Sequence, residues 1–180
     1  LIGHGLHRED QCNGDMNLVD VQSDGGIHAP TIRYHKGIFY IITTNVYNSG
    51  DGKPGLMRNF VITAKDPSGP WSEPHIIEGA PGIDPDIFFD TDGKVYFTGT
   101  HSPGDMNANG IGEIWIQELD IKKWKLTGDR KTVWDGVFGC CTEGPHIYKE
   151  HGLYYLLVAE GGTGKNLSLI HISEPTRLHG

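Results

Sequence analysis

The stretch "DPDIFFDTDGKVYFTGT", residues 84–100, has the pattern of a β-hairpin, and related stretches occur twice more in the chain. These are "APTIRYHKGIFYIITT" from Ala29 and "GPHIYKEHGLYYLLVAE" from Gly144. Each has a proline, isoleucine two residues later, a polar segment ending in glycine, and tyrosine three residues beyond that glycine. Proline can open the first strand, where a missing N–H costs little, and the glycine segment can form the turn. The sequence therefore predicts three hairpins of one kind.

The spacing of these hairpins indicates the architecture. Their prolines, Pro30, Pro85 and Pro145, lie 55 and 60 residues apart. The 26 glycines and 10 prolines separate short runs rich in β-branched and aromatic residues, with little sign of helix. A repeat of this length holds about four strands, as one blade of a β-propeller does, whereas solenoid units are usually shorter. We predict an all-β partial propeller of about three blades: the end of one, two full blades (roughly residues 25–80 and 81–136) and the opening hairpin of another.

Repeat position also indicates a site, because equivalent residues of successive blades converge at the axis of a propeller. Ala29 and Asp84 stand directly before their prolines, and Glu143 stands one step earlier than its equivalent position. Alone, Asp84 could cap a turn before Pro85, and Glu143 could be a solvated edge residue. Their matched positions in the repeat favour a shared central pocket with two carboxylates.

Composition excludes several partners. The net charge is −8 and lysine and arginine form no runs, which disfavours nucleic acid and anionic membrane surfaces as partners. The longest apolar stretch, about six residues from Tyr154 to Ala159, is far too short to cross a bilayer. No signal peptide follows Leu1, and the chain has no initiating Met, so cytoplasmic and secreted locations both stay open, as does the oligomeric state.

No pattern of metal ligands is present in the sequence. The three cysteines are odd in number and two are adjacent, so they do not predict a disulfide framework. Neither the Cys140–Cys141 pair nor His4 and His7 has the matching second pair that a zinc site needs. We expect no metal and no cofactor.

Three stretches resemble glycoside hydrolase family 43, the β-xylosidase and α-L-arabinofuranosidase group. They are "GGIHAPTIRYHKGIFYIITTN" (residues 25–45), "GIDPDIFFDTDGKVYFTGT" (82–100) and "TEGPHIYKEHGLYYLLVAEGGT" (142–163). The resemblance implies a five-bladed β-propeller with an inverting active site on its axis. It implies exo-acting hydrolysis of O-glycosidic bonds in xylan- or arabinan-derived oligosaccharides, which would be the partner molecules.

The resemblance also implies roles for individual residues. Glu143 in "TEGPH" matches the general acid, and Asp84 in "GIDPD" matches the carboxylate that orients the acid and tunes its pKa. A nearby anion disfavours ionisation of an acid, which suits a group that must donate a proton to the leaving oxygen. His28 stands where family members commonly carry an aromatic residue that packs on the sugar ring, so it is a candidate substrate-binding residue; it could equally be an ordinary strand residue.

The general base of the family, an aspartate in a "PDPS"-like stretch, has no match here. Four aspartates, Asp10, Asp15, Asp20 and Asp24, all follow the place where that stretch would be, and we assign the role to none of them. Two alternatives to the hydrolase therefore stay open. One is a non-catalytic carbohydrate-binding propeller that kept the pocket, and the other is a five-bladed hydrolase acting on fructans, which the "TEGPH" context disfavours.

The end of the chain has a different character. Residues 167–177, "LSLIHISEPTR", resemble the conceptual translation of a transposase-type sequencing adapter and agree with that reading frame at every position. We therefore expect residues 1–166 to be a piece of the family's catalytic domain and residues 167–180 to be a non-native tail. We also expect the polypeptide of 180 residues, taken alone, to be inactive.

Overall fold

The structure is a computed structural model, and it describes residues 1–14, 18, 21, 25–47, 56–105, 107, 110–137, 141–162 and 168–174. Within these ranges the chain has three antiparallel sheets, one short 3₁₀ helix (Gln11–Gly14) and no α-helix. The first sheet contains β1 (Gly26–His35), β2 (Ile38–Tyr47), β3 (Leu56–Ala64) and β4 (His75–Ile76). The second contains β5 (Ile83–Phe89), β6 (Val95–His101), β7 (Glu113–Asp120) and β8 (Lys125–Trp134). The third contains β9 (Glu143–Glu150), β10 (Leu153–Glu160) and β11 (Ser168–Glu174).

Each sheet is a meander in which every strand pairs antiparallel with the next one along the chain. That topology is the one expected of a propeller blade. The first two strands of each sheet are the three hairpins predicted from the repeat, and the sheets begin and end close to the predicted blade limits. The prediction of an all-β chain with about three blades is confirmed.

Two of the three hairpin turns are identical in kind, with two central residues at positive φ. They are Lys36–Gly37, with φ of 48° and 84°, and His151–Gly152, with φ of 51° and 80°. Positive φ at both positions is the type I′ geometry, whose twist matches that of the flanking strands. The turn of the second hairpin is longer, and its backbone is held by Asp90 and Asp92, whose carboxylates accept from the amides of Thr91 and Lys94.

Apolar side chains between neighbouring sheets form the core. Ile42 and Val61 of the first sheet pack with Phe97 and Trp115 of the second, and all four are fully buried. A second cluster joins the second sheet to the third through residues that include Phe88, Ile116 and Ile147. Burying each such side chain contributes about 1.5–3 kcal/mol. This packing places the inner strands β1, β5 and β9 beside one another, with β5 in the middle.

The beginning of the chain differs from the prediction. The sequence predicts the end of a blade before residue 25, but the residues that the structure describes there form a 3₁₀ turn and no strand. Instead, Leu6 and Cys12 pack against Phe60 and Ile62 on the outer face of the first sheet.

The tail enters the third sheet. Strand β11 pairs with β10 over its whole length, from Ser168 opposite Glu160 to Glu174 opposite Tyr154. An extended segment can satisfy an open sheet edge through backbone hydrogen bonds with little regard to its side chains. Pairing therefore does not test the origin of residues 167–180, and the adapter interpretation stays a prediction.

Candidate active site

The inner strand of each sheet carries the same backbone irregularity at its entrance. The residue before each proline has positive φ: 41° at Ala29, 55° at Asp84 and 58° at Gly144. At the same places the pairing register of the strand shifts, as in a β-bulge. A residue before proline ordinarily prefers extended φ, and a non-glycine residue at positive φ costs about 1–2 kcal/mol. Bulges of this kind turn a side chain out of the regular alternation, and here they act at one end of all three inner strands.

Asp84 is a partly buried carboxylate with a specific hydrogen bond to the third sheet. Its Oδ2 accepts from the backbone amide of Gly144 at 3.1 Å. Burial raises the pKa of Asp84, while the Gly144 amide and the charges of His28 and His146 act in the opposite direction without cancelling it. The three inner strands therefore all contribute to the surroundings of this carboxyl.

The loop that leads into Asp84 is fixed by buried polar contacts. The side-chain amide of Asn59 donates to the carbonyl oxygens of Ala80 and Gly82, each at 3.0 Å, and its oxygen accepts from the Thr44 hydroxyl at 2.6 Å. Gly82 has φ of 73°, and a Cβ at this position would lie 1.6 Å from the carbonyl oxygen of Thr100. Only glycine allows this close approach, so the sequence around "PGIDPD" determines the position of Asp84.

Glu143 is the first residue of β9, opposite Ala159 of β10, and its side chain is partly buried. Burial raises its pKa, and the negative charge of Asp84 raises it further. The preceding residue is anchored to the second sheet, because the carbonyl oxygen of Thr142 accepts from the buried Thr100 hydroxyl at 2.7 Å. The two carboxyls that the repeat predicted to converge are thus close enough for the charge of Asp84 to affect the ionisation of Glu143.

The segment before Glu143 is held by a second buried acid that sequence reasoning did not identify. Glu160, at the end of β10, is fully buried and accepts from the indole N–H of Trp134 at 2.6 Å and from the amide of Val137. Cys141, two residues before Glu143, is disulfide-bonded, which the odd number and adjacency of the cysteines did not predict.

His28 lies on β1 opposite Thr44, with its backbone carbonyl accepting from the Thr43 hydroxyl at 2.6 Å. Its side chain is partly buried, and its charge lowers the pKa of Asp84 against the stronger effect of burial. All three residues singled out from the sequence, His28, Asp84 and Glu143, therefore lie at the same end of adjoining inner strands. Of the four aspartates considered for the base, Asp10 is exposed and pairs with Arg8, and Asp15, Asp20 and Asp24 lie outside the described residues.

A second cluster, which the sequence did not predict, joins the three inner strands. Asp86 is fully buried, and its two oxygens accept from the guanidinium of Arg33, with Nε to Oδ1 at 2.8 Å. The Nδ1 atom of His146 lies 3.2 Å from Oδ2, and the amide of Ile87 donates to Oδ1 at 2.8 Å. Burial would raise the pKa of Asp86, but the hydrogen bonds and charges of Arg33 and His146 hold it below the ordinary value. The guanidinium also lies over the ring of Tyr148, 5.0 Å from its centroid.

The signal for this cluster was present in the repeat. Asp86 and His146 each follow their proline directly, so they occupy equivalent positions, and Arg33 lies in the inner strand of the first repeat. A carboxylate within the apolar run "DIFF" also requires a partner when it is buried. The residues directly after the prolines of the second and third repeats therefore converge as those before them do.

The arrangement joins a carboxyl, Glu143, whose pKa is raised by burial with a second carboxyl, Asp84, whose charge raises it further. Such a pair suits proton donation to a leaving group. Among the residues that the structure describes, His, Cys, Asp and Glu side chains form no group of three or more that could hold a metal ion. The same residues include no helix with the length and hydropathy of a membrane span.

Comparison with known proteins identifies a family and several relatives. The family model for glycosyl hydrolases family 43 matches residues 1–180. The chain is 50% identical over 169 residues to a xylosidase/arabinosidase from Butyrivibrio fibrisolvens, covering 90% of this chain and 30% of that protein. It is 38% identical over 184 residues to a xylan 1,3-β-xylosidase from Vibrio sp, covering 99% of this chain and 34% of that protein.

Among solved structures, the chain is similar to a xylan β-1,4-xylosidase from Bacillus halodurans C-125. The TM-score is 0.81 at 35% identity, over 96% of this chain and 32% of that one. The fold of such neighbours is a five-bladed β-propeller, of which this chain provides a part. The chain spans about a third of the length of the relatives it matches.

Proposed function

The chain belongs to glycosyl hydrolase family 43, and from that premise we propose that the full-length protein containing it is an inverting glycosidase. Its substrates would be xylan- or arabinan-derived oligosaccharides, from which it would release terminal pentose units. The printed names of the relatives, which include xylosidase/arabinosidase and xylan 1,3-β-xylosidase, support this substrate class. They do not separate xylose from arabinofuranose as the sugar released, and the proposal covers both.

Glu143 would be the general acid. Inverting hydrolysis needs one protonated carboxyl beside the leaving oxygen and a carboxylate on the opposite face of the sugar that activates water. The observation that carries this assignment is the combined effect of burial and of the Asp84 charge, both of which raise the pKa of Glu143. A raised pKa keeps the proton on Glu143 over more of the pH range in which the enzyme would work.

Asp84 would orient the acid and tune its pKa. Its hydrogen bond from the amide of Gly144 fixes the backbone directly after Glu143, so the two carboxyls are held in a defined relation. His28 would contact the sugar from the first sheet, where its imidazole could stack on the ring and donate or accept a hydrogen bond. The general base is not assigned to any residue of this chain.

The test is Glu143→Gln in the full-length protein, with Glu150→Gln as the matched control on the same strand. The Glu150 side chain is 69% exposed and lies at the opposite end of β9. Glutamine keeps the shape of glutamate but cannot donate a carboxyl proton. We expect kcat on an unactivated xylo- or arabino-oligosaccharide to fall by about 10²–10⁴-fold, with substrate binding largely kept and the Glu150 variant like wild type.

An aryl glycoside with a good leaving group sharpens the assignment. Departure of a good leaving group needs little protonation. Glu143→Gln should therefore lose much less activity on the aryl glycoside than on the oligosaccharide. Near-normal turnover of the unactivated oligosaccharide by Glu143→Gln would overturn the acid assignment. A wild-type protein that binds the oligosaccharide but does not cleave either substrate would instead be a carbohydrate-binding propeller.

A further inference from the structure

Asp86 connects three strands that are not joined by backbone ladders. Strands β1, β5 and β9 belong to three different sheets, so no ladder of backbone hydrogen bonds sets their relative height. The carboxylate of Asp86 on β5 accepts from Arg33 on β1 and lies within hydrogen-bond distance of His146 on β9. Bidentate pairing with a guanidinium restricts both distance and orientation more than a single contact does.

Two of these strands, β5 and β9, also carry the proposed acid and its proposed modulator. Asp84 and Asp86 flank Pro85 on β5, while Glu143 and His146 lie three residues apart on β9. Two side-chain contacts therefore link these strands near the site, Asp84 with the Gly144 amide at 3.1 Å and Asp86 with His146 at 3.2 Å. Because the ring of Pro85 fixes its φ, a shift at Asp86 would be transmitted to Asp84.

We propose that Asp86 is a positioning residue for the glycosidase reaction, holding β1, β5 and β9 at the relative heights that bring Asp84 and Glu143 together. This inference rests on the proposed function. Asp86 does not itself contact the sugar in this account; it acts through Arg33 and His146. A displacement of about 1 Å in a reacting group can cost on the order of 10²-fold in rate, so an anchor of this kind matters even without touching substrate.

The chain offers a matched control at the opposite end of the same strands. Asp90, directly after β5, is also buried and also contacts β9 and β10, through Lys149 Nζ at 2.5 Å and the Tyr154 hydroxyl at 2.6 Å. It thus joins the second and third sheets, as Asp86 also does, but lies at the end of β5 away from Asp84 and Glu143. If Asp86 had only a structural role, Asp86→Asn and Asp90→Asn would change kcat to the same extent.

The experiment compares Asp86→Asn with Asp90→Asn in the full-length protein, at a temperature well below the unfolding midpoints of both. We expect Asp86→Asn to lower kcat on an unactivated oligosaccharide by about 10–100-fold with a smaller change in KM. The basic limb of its pH–rate profile should move to lower pH. A looser Asp84–Glu143 pair weakens the effect of the Asp84 charge and so favours ionised Glu143, while His28 and His146 still face Asp84 from the neighbouring strands. Asp90→Asn should keep the wild-type kcat and profile.

Equal effects of the two substitutions on kcat and on the pH profile would overturn the inference. Should Asp86→Asn not fold, Arg33→Lys provides the test, since it keeps the charge but loses the bidentate contact. The lysine variant should show the same fall in kcat in milder form, and an unchanged kcat would contradict the proposal. Glu143→Gln separates a failure of the proposed function from a failure of the positioning role. If Glu143→Gln stays active, the proposed function fails. If Glu143→Gln is inactive and Asp86→Asn resembles Asp90→Asn, only the positioning role of Asp86 fails.

Discussion

Asp84 and Asp86 stand two residues apart on β5, and their surroundings shift their pKa values in opposite directions. Burial is the largest effect on both, and it favours the protonated form of each. Asp84 receives one backbone hydrogen bond, from Gly144, and its pKa stays raised. Asp86 is more deeply buried but is contacted by Arg33, His146 and its neighbouring amide, and its pKa is lowered.

For these two carboxyls, the direction of the pKa shift follows the hydrogen-bond and charge partners and not the depth of burial. A buried carboxylate with a bidentate guanidinium remains ionised and acts as an anchor. A less buried carboxyl with a single donor retains its proton to higher pH and can influence a neighbouring acid. The bulge before Pro85 turns these two side chains toward different partners, so one strand provides both kinds of group.

The largest effect that we expect concerns the chain as given, in which we assign the role of general base to no residue. Residues 1–180 alone should show no measurable hydrolysis of aryl xylosides or arabinofuranosides, beside a full-length relative as positive control. The absence of a general base alone lowers the rate of hydrolysis by about 10²–10⁴-fold. The absence of sugar-positioning groups from further blades would lower it more. Turnover that Glu143→Gln abolishes would show that the chain holds a complete site.

The next effect is on the stability of the full-length protein. Asp86→Asn should lower the free energy of unfolding by about 3 kcal/mol, because it leaves the Arg33 guanidinium without its paired charge. Asp84→Asn should change it by about 1 kcal/mol or less, since the amide oxygen can still accept from Gly144. Urea unfolding of both variants measures the difference. The reverse ranking would mean that the two carboxyls have been assigned the wrong roles.

A smaller effect concerns the dependence of stability on pH. The lowered pKa of Asp86 contributes stability above its ordinary value of 3.8, and this contribution is lost as the pH falls through the lower folded value. The raised pKa of Asp84 acts the other way: its contribution is present below 3.8 and is lost as the pH rises through the higher folded value. The stability difference between wild type and Asp86→Asn should therefore shrink toward acid pH.

Asp84→Asn, measured in the same unfolding series, is the control for the direction of the pH dependence. At neutral pH, Asp84→Asn removes a charge that the folded state disfavours, and this benefit should disappear as the pH falls and wild-type Asp84 becomes protonated. Parallel curves for wild type and both variants between about pH 3 and pH 7 would contradict both pKa directions.

The smallest effect that we expect is at His28. His28→Phe restores the aromatic character usual at this position in the family that the sequence resembles, and it keeps a flat ring against the sugar. We expect KM for a xylo- or arabino-oligosaccharide to change by roughly threefold, with kcat nearly unchanged. His28→Ala, which removes the ring, should raise KM more. Equal KM values for the alanine variant and wild type would make His28 an ordinary strand residue.

The repeat in the sequence determined most of the fold. The three proline–isoleucine–glycine–tyrosine patterns predicted the hairpins of all three sheets and brought His28, Asp84 and Glu143 to one end of them. The positive φ values before the prolines could not be predicted, because only one of the three positions is glycine and residues before proline normally avoid that region. The Asp86 cluster depends on which way those bulges turn the side chains. It therefore required the structure, although the repeat had already aligned Asp86 with His146.

The charge of Asp84 raises the pKa of Glu143, and we expect this effect to keep the proposed acid protonated. The direct test is the pH dependence of kcat/KM for an unactivated oligosaccharide, measured on the full-length protein and on Asp84→Asn. Asp92→Asn, an exposed position in the turn of the same hairpin, is the control. We predict that the basic limb moves to lower pH in Asp84→Asn and stays in place in Asp92→Asn. A basic limb that is unmoved in Asp84→Asn, or moves to higher pH, would contradict the account.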